Sequence, residues 1–255
     1  MQPALFLSHG SPMLALQETP AHAFLAELGT ALTRPNAILV ISAHWETSVP
    51  TVTTASHNAT IHDFHGFPAE LYTLAYPAPG APELAARIVD LLGDAGLRAG
   101  LEQQRGLDHG AWVPLLLMWP TYDIPVLQLS IQSALGPGHH VQLGRALTAL
   151  RRENVLILAS GSFTHNLRAL QHNHTEPEWV TRFSDWIHEA IMARRTCDLV
   201  SYRRLAPFAE QNHPTDEHLL PLFVAIGAGG ADAIPTRLHS STELGVLRMD
   251  AYRFD

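Results

Sequence analysis

The sequence predicts an α/β protein: a single three-layer α/β/α domain over residues 1–255, built on a central, mostly parallel or mixed sheet. Three observations predict it. Residues 4–8, 37–43, 124–131 and 154–160 are apolar nearly throughout, as strands covered on both faces must be. Segments with the apolar spacing of helices lie between them, which is the alternation a parallel sheet needs for its crossovers. A length of 255 residues is also enough for one large core.

Taken in order, "ALFLS" (4–8) is a buried strand, followed by an amphipathic stretch from Ala21 to Leu32 and a second strand at 37–43. "PELAARIVDLLGDAG" (82–96) is a helix opened by Pro82 and closed at Gly96. "IPVLQLSI" (124–131) is a strand, "HHVQLGRALTALRR" (139–152) a helix, and "NVLILAS" (154–160) another strand. Beyond Gly161 the texture turns helical: "PEWVTRFSDWIHEAIMARR" (177–195) is amphipathic, and a further helix starts near Thr215 and ends in the glycines at 227–230. The tail, 241–255, alternates enough to be a final edge strand. Pro50 to Gly80 has no assignable pattern, and a stretch that long in a compact domain is expected to cover a site.

Composition excludes several functions. Lys and Arg total 16 against 24 Asp and Glu, so a net charge of −8 argues against nucleic acid or an anionic membrane as partner. The single cysteine, Cys197, can form no internal disulfide, which fits a reducing compartment. No apolar run approaches the roughly eighteen residues of a spanning helix, and the first residues lack a basic signal region. A soluble, cytoplasmic monomer or small homo-oligomer is expected.

Histidine is the unusual entry, with 16 copies, as many as Lys and Arg together. Imidazole is the commonest metal ligand and the side chain that exchanges protons near neutrality. His9 and His44 each sit one residue past the end of an expected strand, and His165 follows a third strand by a few residues. In open α/β sheets ligands bind beyond the carboxyl ends of the strands, so neighbouring parallel strands would bring these rings to one point. His218, in the first turn of the 215–229 helix beside Glu217, is a fourth candidate. His109 opens "HGAWVPLLLMWP" and either overlooks a pocket or starts a core helix. His139, His140, His172 and His174 lie in polar stretches expected to be solvated, and His188 is expected on a helix surface. No GxSxG elbow, dinucleotide or phosphate loop, or CxxC pair is present. Ser8 and Ser162 lie near histidines, but serine hydrolysis would also need an oriented base.

The motifs "SHGSP" (8–12), "SAHW" (42–45), "GFP" (66–68), "YPAPG" (76–80), "LDHGAW" (107–112), "GSFTHN" (161–166) and "EHLLPL" (217–222) occur in an order that resembles the class III extradiol ring-cleavage dioxygenases of LigB type. Their DOPA 4,5-dioxygenase-like (DODA-type) branch is the most similar. The resemblance implies one mononuclear metal ion per chain, Fe(II) or Zn(II), at the strand carboxyl ends. His9, His44 and His218 would be its ligands, His165 an acid/base residue or fourth ligand, and His109 a residue on the substrate side. It also implies a small catechol substrate and O2, with ring opening to a muconic semialdehyde. Two positions depart from the pattern: the third ligand position reads Glu217-His218, where better-studied LigB enzymes use glutamate, and His65 stands where many relatives carry an aromatic residue. An all-histidine site suits zinc as well as iron. A zinc hydrolase on the same scaffold, or a non-catalytic metal or aromatic-ligand binding protein, are the competing readings.

Overall fold

The alternation of apolar strands and helices closes into one eight-stranded mixed sheet, in a computed structural model that describes residues 1–171 and 175–255. Its strands are β1 (Ala4–Ser8), β2 (Ala37–Glu46), β3 (Thr51–Thr53), β4 (Gly100–Glu102), β5 (Val126–Ile131), β6 (Val155–Gly161), β7 (Pro235–His239) and β10 (Ala251–Phe254), in the order β4-β3-β5-β2-β6-β1-β10-β7. β8 (Thr242–Glu243) and β9 (Leu247–Arg248) form a separate hairpin. The helices are α1 (Pro20–Ala31), α2 (Pro82–Asp94), α3 (His109–Met118), α4 (Gly136–Ala146), α5 (Glu178–Met192), the short α6 (Thr196–Val200), α7 (Tyr202–Leu205) and α8 (Ala209–Asn212), and α9 (Leu220–Gly229).

Why the central strands read as continuous apolar runs is visible in β1. Ala4 and Phe6 face the layer of α2, α4, α5 and α9, while Leu5 and Leu7 face the layer of α1 and α3. Both sets are fully buried, so alternation is hidden by a core on each side. The four parallel strands β5, β2, β6 and β1 form the middle, with Ser8 opposite Gly161 and Ser42 opposite Ser160. That register brings the carboxyl ends of β1, β2 and β6 level with one another.

Several expectations are corrected. The strand at 37–43 runs on to Glu46, so His44 lies inside it; its register against β5 slips between Ile41 and Glu46, and the bulge re-aims the side chains it carries. The last helix starts at Leu220, not near Thr215, and His218 sits in the turn before it. The C-terminal strand is interior, pairing antiparallel with β1 and β7, and β7 takes the edge. The 139–152 helix divides into α4 and a 3₁₀ turn at Thr148–Glu153. The unassigned 50–80 stretch contains β3 and a 3₁₀ turn at Ala69–Thr73. His172 and His174 lie outside the described residues. No helix among the described residues is long and apolar enough to cross a membrane.

His140 is not a solvated residue but a fully buried one. Its Nδ1–H donates to the Gly136 carbonyl at 2.7 Å, and its Nε2 accepts the Gln132 amide N–H at 3.2 Å, so a second ring proton would face a donor. Burial, opposed by the Gly136 bond, lowers its pKa to about 4. The unfolded chain therefore binds this proton first, and the stability His140 contributes, complete above pH 6.5, is lost as pH falls toward 4. In urea titrations His140→Gln is expected to lose about 3 kcal/mol less than the parent between pH 7 and pH 4. His188 is half-buried rather than freely exposed, its Nδ1 lying 2.9 Å from the Tyr252 hydroxyl.

Candidate metal centre

The level strand ends deliver histidines from three separate parts of the chain to one point. His9 follows β1 directly, held by its backbone N–H on the Gly161 carbonyl at 2.9 Å. His44 comes from the bulged end of β2. His218 is drawn against β6 by the Ser162 N–H on its carbonyl at 2.8 Å. Gly161 makes this approach possible, since a Cβ there would lie 2.2 Å from the His218 carbonyl oxygen. The Nε2 atoms of His9 and His44 are 3.0 Å apart, and those of His44 and His218 3.3 Å.

Each ring is fixed through its other nitrogen. Ser160 Oγ donates to the Gly110 carbonyl and so accepts from His9 Nδ1, 2.9 Å away. His44 Nδ1 faces the Asp63 carboxylate at 3.4 Å, and His218 Nδ1 donates to Glu217 at 3.0 Å. His9 and His218 thus carry the proton on Nδ1, the Asp63 carboxylate favours the same tautomer of His44, and the three Nε2 atoms face one another. Burial, followed by the neighbouring imidazoles, lowers the pKa of all three, so protonation does not relieve the conflict. Three converging acceptors with no proton between them fit a cation, and carboxylate or hydroxyl partners on the far nitrogen are the usual supports of metal-bound histidine.

Around this trio sit the other two candidates. His109 is the first residue of α3 and is buried, so both readings of it hold: it starts a core helix and it lines the cavity. Its backbone N–H and Nδ1–H both donate to Asp63 Oδ1 at 2.9 Å. His165 stacks face to face on His218, ring centroids 3.4 Å apart. The cavity bounded by these five histidines holds about 400 Å³. Ser8 and Ser162 are spent elsewhere: Ser8 Oγ donates to the Asp250 carbonyl, and Ser162 Oγ to that of Thr164.

Sequence reasoning missed Asp63 and Asp108. Asp63 lies in the unassigned stretch, and its carboxylate serves His44 and His109 together. Burial raises its pKa, but the ring and backbone hydrogen bonds from His109 outweigh this and hold it at about 2. Asp108 is fully buried and caps α3 through the Ala111 N–H, while accepting from Ser42, Gln128 and Arg105. Arg105 also donates to the His44 carbonyl at 3.0 Å, so one network fixes the backbone of both His44 and His109. An acidic residue just before a predicted helix was the available signal for Asp108. Asp63→Ala is expected to weaken metal retention about 10–100-fold in chelator competition, with the fold intact by circular dichroism.

Fold and site define an α/β protein with a histidine-rich, metal-competent cavity at the carboxyl ends of parallel strands. The family model for the catalytic LigB subunit of aromatic ring-opening dioxygenase matches residues 3–249. The chain is 44% identical over 259 residues to a 4,5-DOPA dioxygenase extradiol of Beta vulgaris, covering 98% of this chain and 95% of that one. It is 41% identical to a protein of the same name from Escherichia coli K12, covering 97% and 92%. The crystal structure of uncharacterized protein JW3007 from Escherichia coli K12 superposes with a TM-score of 0.85, at 35% identity and full coverage of both chains. The chain belongs to the LigB family and is an extradiol aromatic ring-opening dioxygenase.

Proposed function

We propose that His9, His44 and His218 hold one Fe(II) ion per chain and that the enzyme opens the ring of a catechol of the DOPA type beside its diol, residues 1–255 acting as one catalytic unit. The convergence of three lone-pair nitrogens carries this reading. A bound ferrous ion would supply open coordination positions for the two oxygens of a catecholate and for dioxygen.

The protein's own groups then bind, orient and move protons. His165 is the acid/base residue: it stacks on His218 and groups with Glu217 and His218, outside the His9, His44 and His218 trio. Burial lowers its pKa to about 4, so it enters the reaction neutral and able to take a proton from a catechol hydroxyl, returning one as the ring opens. His109, its Nδ1–H committed to Asp63, turns its Nε2 lone pair toward the cavity to accept from the second hydroxyl. Phe64 and Phe67, from the long loop, cover the ring and exclude water.

The test strips the metal, reloads anaerobically with Fe(II) or Zn(II), and measures oxygen uptake with L-DOPA, catechol and protocatechuate. Uptake with a yellow ring-opened product, given by iron alone, is expected. Uptake with neither metal, together with hydrolysis by the zinc form, would overturn the reading in favour of a zinc hydrolase, since zinc has no redox chemistry with which to engage dioxygen.

A further inference from the structure

Part of the cavity wall away from the histidines is the β8–β9 hairpin, whose two faces carry different side chains. Thr242 is paired with Arg248 and Glu243 with Leu247, and residues directly opposite one another in an antiparallel pair share a face. The Thr242 and Arg248 side chains both bond Glu176, which identifies one face. Leu247, on the other, lines the cavity together with Leu244. The alternation of side chains along a strand therefore puts Glu243 on the cavity face of the hairpin.

Glu243 is half-buried in that position. A Cβ on Gly10 would stand 3.7 Å from its Oε2 and closer still to Met249, so the carboxylate packs near the backbone of the residue that follows His9. Gly10 lines the same cavity. The Oε1 atom is buried and has no hydrogen-bond partner among the described residues. Burial raises the Glu243 pKa, and a hydrogen bond with the Thr19 side chain opposes the rise. A carboxylate drawn out of water with one oxygen unsatisfied is a costly placement in the free protein, and a cation brought into the cavity would offset that cost.

We infer that Glu243 selects catechols of the DOPA type by receiving the ammonium of their amino-acid side chain. The inference rests on the dioxygenase reading and names the residue that tells such a catechol from one without a cationic chain. The ammonium lies three bonds beyond the ring, so with the diol at the histidines it reaches the part of the cavity that Gly10, Leu244 and Leu247 bound. Hydrogen bonds to a charged group are about twice as strong as neutral ones, and a carboxylate left facing a substrate without the ammonium stays unpaired.

The test compares kcat/KM of the Fe(II)-loaded full chain for L-DOPA and for 3-(3,4-dihydroxyphenyl)propionate, which differs only in lacking the ammonium, and repeats the comparison with Glu243→Gln. The parent is expected to prefer L-DOPA by about 10- to 100-fold. The variant keeps the shape of the side chain without its charge, and is expected to lose most of that preference through a raised KM for L-DOPA. Dopamine, which has the ammonium and no carboxylate, is expected to respond to the substitution as L-DOPA does. A parent that turns over the propionate as well as L-DOPA, or a preference for L-DOPA that survives in Glu243→Gln, would overturn the inference alone. No oxygen uptake with any catechol would overturn the dioxygenase reading and this one with it.

Discussion

Replacing His44 with alanine is expected to abolish stable metal binding and oxygen uptake together. The other two proposed ligands remain in place, since His9 is held through Ser160 and His218 through Glu217, but two imidazoles do not make the site that three converging nitrogens make. The loss should exceed the roughly 10–100-fold that removal of a supporting partner costs. Metal content after desalting, measured alongside oxygen uptake, checks it. The metal-free variant should melt no lower than the metal-free parent, because the substitution removes an acceptor aimed at two others. A variant that keeps its metal would displace His44 from the ligand set.

The second large effect is expected at His165. With alanine there, metal content should be unchanged and kcat should fall by about 10²–10⁴, the range for loss of a positioned proton-transfer group. KM should move far less, because Phe64, Phe67 and the proposed metal ligands stay in place. His165 stacks on the His218 ring and leaves the His218 Nδ1 bond to Glu217 untouched, so the orientation of the His218 ring survives the substitution. Loss of metal from this variant would instead make His165 a fourth ligand.

Much of this was legible in the sequence because its cause is local. The buried strands announce themselves through unbroken apolar runs, and α2 through Pro82 at its start and Gly96, at φ +75°, just past its end. His9, His44 and His165 were legible from their places near strand ends and His218 from its place near a helix start, and the family motifs supplied the role expected of each. What was hidden depends on distant contacts. Asp63 looks like any polar loop residue until the fold brings it against His44 and His109. His140 sits in a polar run yet is buried, because its neighbours in space are Gly136 and Gln132 rather than water. The slip of β2 that aims His44 has no sequence signature, and the position of β10 inside the sheet follows from pairing with residues at the opposite end of the chain.

That last pairing bears on how the protein folds. Ala4 lies opposite Phe254 and Leu7 opposite Ala251, so β1 gains its second neighbour only from residues made about 250 positions later. Contacts of such long sequence separation close loops at high entropic cost and slow folding. Until they form, β1, whose apolar residues include Phe6 and Leu7, is an open strand edge able to pair with another chain. A nascent or C-terminally clipped chain would therefore present an aggregation-prone edge on the strand that leads into His9, tying completion of the metal site to the last strand of the sheet.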